Sequence, residues 1–67
     1  MTYSEYTDNL ERIKYLAEHK QTGSPYMLAK TIGVSVRTVL RMIQQLRENG
    51  YPIKFNRLRN TYEVEND

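Results

Sequence analysis

The sequence predicts a mainly α-helical domain of three helices closed by one small β-hairpin. Apolar residues recur at helical spacing in three successive stretches, and Gly23, Gly33 and Asn49-Gly50 punctuate them. After Gly50 the apolar period falls from between three and four residues to two. Sixty-seven residues suffice for one domain, residues 1–67, with 1–6 read as an N-terminal extension and 65–67 as a frayed tail. A chain this short buries only ~60% of its unfolded surface, so its core is small.

Each element has its own signals. Thr7 or Asp8 can cap a first helix over about 8–21, and Asp8-x-x-Glu11 has capping-box spacing. Leu10, Ile13, Leu16 and Ala17 give that helix one apolar face, and Gly23 suits its left-handed stop. Ser24-Pro25 starts a second helix over 25–32: a capping hydroxyl, then proline where the missing N–H costs nothing. Residues 32–37 alternate like a strand, but Ser35 is a good cap. The apolar set also continues helically as Val39, Met42 or Ile43, and Leu46, giving a third helix over 36–48. Strands at 53–56 and 61–64 then pair around residues 57–60, with Phe55 opposite Tyr62 and Lys54 opposite Glu63. Ile53, Phe55, Tyr62 and Val64 turn to the helices, and Lys54, Asn56, Thr61 and Glu63 turn away.

Charge and residue inventory narrow the function classes. Residues 1–29 carry a net −1, residues 30–59 a net +6 and residues 60–67 a net −3. Basic charge confined to one stretch points to a polyanion, against the bland reading of a solvated face. The absence of cysteine excludes disulfides, thiolate metal sites and cysteine catalysis. His19 is the single histidine, which leaves little for a metal site or a general base, and no phosphate-binding glycine loop is present. No cofactor and no enzymatic activity are expected. The longest apolar run, Tyr26-Met27-Leu28-Ala29, is far below a membrane span, and no signal peptide is visible, so a cytoplasmic location is expected.

Helix, short helix, turn, longer helix and hairpin is the element order of a winged helix-turn-helix. Ala29 stands where a small residue lets two helices cross closely, and Gly33 follows four residues later in the turn. The run Leu28-Ala29-Lys30-Thr31-Ile32-Gly33-Val34-Ser35-Val36-Arg37-Thr38-Val39 resembles the winged helix domains of DeoR-type and biotin-operon-repressor-type bacterial transcriptional regulators. Leu46-Arg47-Glu48-Asn49-Gly50-Tyr51-Pro52-Ile53 before a short hairpin is similar to them too. Where DeoR-type sequences often carry Arg-Asp, this chain has Arg41-Met42. The resemblance implies double-stranded DNA as partner, with helix 36–48 in the major groove and the 53–64 hairpin as wing.

A helix reads base edges by aiming donors outward from its N-terminal half. With Val39, Ile43 and Leu46 inward, Arg37, Arg41, Gln44 and Glu48 face out, and either arginine can fork onto a guanine. Val36 can touch a thymine methyl, and Ser35 and Thr38 carry hydroxyls suited to phosphate, though Val36 and Ser35 equally serve packing and capping. Lys54, Arg57 and Arg59 lie on the wing, and Ser24 and Tyr26 open the second helix where a phosphate is favoured. Leu58 between the two arginines is exposed under this register. A homodimer through Met1–Tyr6 or the first helix, or a separate effector protein, is a further partner left open. So are two rival readings, a protein-interaction module and an excisionase-like recombination factor.

Overall fold

The computed structural model describes residues 2–65. The elements follow in the expected order: α1 (Tyr3–Glu18), α2 (Pro25–Ile32), α3 (Val36–Glu48), β1 (Ile53–Asn56) and β2 (Thr61–Val64). The last four have the bounds read from sequence, and residues 32–37 are a helix end, a turn and a cap rather than a strand. Helix α1 differs. It begins at Tyr3, so Thr7 and Asp8 lie within it, and residues 3–6 are not an extension. Thr2 is the cap: its Oγ1 accepts from the Glu5 N–H at 3.2 Å and meets Glu5 Oε1 at 3.2 Å. Thr2-x-x-Glu5 thus uses the same spacing as Asp8-x-x-Glu11, and packing chose between them. Tyr6 rests against the core one turn before Leu10, which makes the extra turns worth forming. Thr7 instead donates to the Tyr3 carbonyl at 2.9 Å.

The other end of α1 is also corrected. It stops at Glu18, with Lys20 in the left-handed region at φ 56°. The Lys20 and Gln21 N–H groups close back on the Ala17 and Leu16 carbonyls at 3.1 and 2.8 Å, a Schellman ending. Gly23 is left-handed at φ 70° but belongs to the connection into α2. Ser24 caps α2 by accepting from the Met27 N–H at 3.2 Å, and Pro25 opens it.

Gly33 turns α2 into α3 at φ 76°, and the Gly33 and Val34 N–H groups both reach the Ala29 carbonyl at 2.9 and 3.0 Å. A Cβ at Gly33 would meet nothing within 4 Å, so only backbone conformation opposes a side chain there. Gly33→Val should therefore cost about 1–3 kcal/mol. Gly33→Asn, which tolerates this conformation, should cost much less. Thermal melts of the two variants check this; an unchanged midpoint for the valine variant would contradict the turn.

The core gathers Ile13 and Ala17 from α1, Leu28, Ala29 and Ile32 from α2, and Val39, Met42, Ile43 and Leu46 from α3. Met42 and Ile43 are both buried, so the two alternatives offered by the spacing are both used. This also accounts for the apolar residue after Arg41, since an acid there would be buried without a partner.

The hairpin has the expected register, pairing Ile53 with Val64, Lys54 with Glu63, Phe55 with Tyr62 and Asn56 with Thr61. Phe55 and Tyr62 meet edge to face, with ring centroids 5.0 Å apart. Two details differ from the expectation. Lys54 pairs with Glu65 at 3.2 Å rather than with Glu63 opposite, while Glu63 accepts from Asn56 Nδ2 at 3.3 Å. Thr61 is buried rather than outward, because the 22–23 segment covers the free edge of β2. Thr22 Oγ1 accepts from the Tyr62 N–H at 2.7 Å, Thr61 Oγ1 accepts from the Gly23 N–H at 3.1 Å, and the two hydroxyls meet at 3.0 Å. A strand edge that would otherwise stay open is thereby satisfied. Glu65 is held too, its N–H donating to the Pro52 carbonyl at 2.7 Å, so the frayed tail does not begin there. Its remaining members, Asn66 and Asp67, lie outside the described residues. Three helices with this hairpin form a winged helix.

Candidate nucleic-acid interface

Two parts of the structure carry the residues singled out from sequence, and the first is α3. Ser35 caps it, accepting from the Thr38 N–H at 3.2 Å while the two hydroxyl oxygens meet at 2.9 Å. Only one hydroxyl hydrogen is used between them, so the other is available to donate to a phosphate. A polar cleft of about 510 Å³ lies beside this cap, between the first turns of α1 and the α2–α3 turn, and Glu5, Asp8 and Arg12 line it with Ser35 and Thr38. Val36 is half-buried and packed against the core.

Past the cap, Arg37, Arg41 and Gln44 are exposed along one side of α3. Among the described residues, the carboxylate ion pairs are Lys14–Glu11 and Lys54–Glu65, so both arginines are uncommitted. Leu40, which residue spacing alone did not single out, shares this face at 49% exposure. It lines a shallow groove of about 370 Å³ with the two arginines, Gln44, Gln45 and, at the far end, Glu48. Its signal was present: position 40 lies three after Arg37 and four before Gln44, hence on their face. A face with two guanidiniums, an amide and an isobutyl group between them offers both hydrogen-bond donors and an apolar contact at groove depth.

The second part is the wing. Asn56 Oδ1 accepts from the Leu58 and Arg59 N–H groups at 3.0 and 3.2 Å, and Asn60 closes the turn at φ 52°. Arg57 and Arg59 are exposed on this braced turn, and Leu58 between them is 98% exposed. Lys54 is also exposed, but its ion pair with Glu65 partly neutralises it. Asn56 is a positioning residue missed in the sequence, because its role depends on the turn closing above it.

Three contacts fix the wing and the segment leading into it to the rest of the fold. The Thr22–Thr61 hydroxyl pair is one. Arg47 Nε donates to the Ile53 carbonyl at 2.9 Å, tying the end of α3 to the start of β1. This exceeds the helix-dipole role its position suggests. Tyr51 donates to Glu18 Oε1 at 2.7 Å, with Lys14 Nζ 5.5 Å from its ring centroid. Burial first, then the Glu18 and Glu11 carboxylates, push the Tyr51 hydroxyl up to about 12, so it remains a donor throughout the neutral range. Burial also raises Tyr62, opposed by the Arg47 charge.

The start of α2 follows directly on the 22–23 segment that is bonded to β2. Ser24 spends its oxygen on the cap, and Tyr26 is 74% exposed. Ser24 and Tyr26 are not drawn into the exposed side of α3.

Comparison with known proteins bears on the motif formed by α2, the Gly33 turn and α3. No curated protein and no solved structure matches the chain. A family model for the helix-turn-helix (HTH) domain matches residues 10–59, from inside α1 through the wing turn. That span includes Ala29 and Gly33 at the crossing and the outward side chains of α3, and it covers about three quarters of the chain. The chain therefore belongs to the family of HTH domains, a DNA-binding family, and it carries the winged form of the motif.

Proposed function

We propose that this protein binds duplex DNA sequence-specifically and regulates transcription in a bacterial cytoplasm, as a binding protein rather than an enzyme. The carrying observation is the outward face of α3, where Arg37, Arg41 and Gln44 stand exposed around Leu40. In this reading α3 enters the major groove. Arg37 and Arg41 fork onto guanines, Gln44 meets an adenine and Leu40 covers a thymine methyl. Ser35 and Thr38 hold a phosphate at the helix start, while Arg57 and Arg59 grip the minor groove or adjacent phosphates from the wing. Lys54 and the Ser24–Tyr26 start of α2 add backbone contacts. No helix among the described residues is long and apolar enough to cross a membrane.

Selection of bound duplexes from a random library, followed by titration of the selected and a scrambled duplex across salt concentrations, tests the reading. Affinity should fall linearly in log–log form with salt, and the selected duplex should bind ~10³-fold or more tightly than the scrambled one. No salt-sensitive binding even at low salt would favour the protein-interaction reading. On a palindromic site, two copies would place their α3 helices about one helical turn apart. Contact between them would fall on α1, the least basic helix, and the stoichiometry of the same titration reads it.

A further inference from the structure

Leu58 is the most exposed large apolar side chain among the described residues, at 98%. A single exposed leucine is ordinary on a protein surface and carries nothing by itself. Its setting is what distinguishes this one. Turn tips favour Gly, Asn, Asp and Ser for their backbone conformations or hydrogen bonding, and leucine supplies neither. The turn is nevertheless well built: Asn56 Oδ1 holds the Leu58 and Arg59 N–H groups, and Asn60 takes the left-handed position. Arg57 and Arg59 stand on either side of the leucine, both exposed and neither in an ion pair among the described residues. An apolar knob between two free guanidiniums is matched by a surface that is anionic at its rims and apolar between them. The DNA minor groove has phosphates along both edges and, where a base step opens, the apolar faces of its bases between them.

We propose that Leu58 is an apolar wedge that enters the minor groove, partly unstacks one base step and bends the duplex toward the major groove. Arg57 and Arg59 hold the backbone on the two sides and carry the leucine to depth. Pyrimidine–purine steps unstack most easily, so the wedge selects TA or CA steps without a hydrogen bond to any base. The wedge rests on the DNA-binding reading above and adds to it a preference generated by deformation. It also gives the hairpin a function beyond neutralising phosphates.

The test uses the full chain and a short duplex carrying several TA and CA steps. The duplex is labelled with a donor–acceptor dye pair at its ends and with 2-aminopurine at those steps. Binding of the unaltered protein should bring the ends closer, consistent with a bend of roughly 20–90°, and should raise 2-aminopurine fluorescence at a step under the wing. Leu58→Ala should keep the salt dependence of binding and lose both signals. Leu58→Met, still long and apolar, should keep them. Binding that leaves the duplex straight and stacked, or an alanine variant that bends it equally, overturns the wedge while leaving the DNA-binding reading intact. Absence of any duplex binding at low salt overturns both. A free-protein dimer that Leu58→Ala dissociates would assign the leucine to self-association and overturn the wedge.

Discussion

Leu28→Ala should remove a large part of the domain's whole stability. Leu28 is fully buried in the core that α2 shares with α1, α3 and the hairpin. Truncations of this kind cost about 2–5 kcal/mol, the lost transfer energy plus the cavity. Native domains hold roughly 0.05–0.15 kcal/mol per residue, which for a chain of this length gives a total of the same order as the loss. The variant should therefore be substantially unfolded at moderate temperature. Leu40→Ala removes the same atoms from the half-exposed face of α3 and should stay within about 0.5 kcal/mol of the parent. Urea unfolding of the three proteins checks this. The midpoint should fall sharply for Leu28→Ala with little change in slope, and equal midpoints for the two variants would contradict the assignment of inner and outer faces.

Arg37→Ala should produce the largest single loss of binding. It lies in the first turn of α3, where a helix in the major groove comes closest to base edges. Loss of a two-pronged guanine contact should cost about 1–3 kcal/mol on the selected duplex and relax preference at one base pair. Arg57→Ala or Arg59→Ala should instead weaken selected and scrambled duplexes alike. Each should reduce the salt slope by about 0.9 for a lost phosphate contact. Arg41 is assigned by the same pair of measurements, since its place one turn further along suits either a base or the backbone. If Arg37→Ala weakens both duplexes equally, α3 is not the reading helix.

The parts that were legible in the sequence are those decided by local chemistry. Ser24-Pro25, Gly33, Ser35 and Asn49-Gly50 each act through a cap or a backbone conformation that a few neighbouring residues settle, and α2 and α3 have the bounds they imply. The hairpin register was legible for a similar reason. A period of two allows only alternate residues to share a face, and a four-residue turn leaves one pairing that puts Phe55 beside Tyr62. The charge asymmetry already placed the basic residues on α3 and the wing.

Competing local signals of equal quality were settled only by tertiary packing. Thr2-x-x-Glu5 and Asp8-x-x-Glu11 are equivalent starts for α1, and the earlier one wins because Tyr6 finds the core. A lysine takes the left-handed end of α1 although a glycine lies three residues on, because the connection to α2 must also bring Thr22 against Thr61. Contacts between residues some forty positions apart, such as the Tyr62 N–H on Thr22 Oγ1, leave no periodic trace in the chain. Sequence by itself determined the elements, their order and the charged faces, since helix caps, turns and alternation are short-range. The three-dimensional fold decided where α1 begins and ends and how the wing is braced, because each depends on surfaces that meet only after folding.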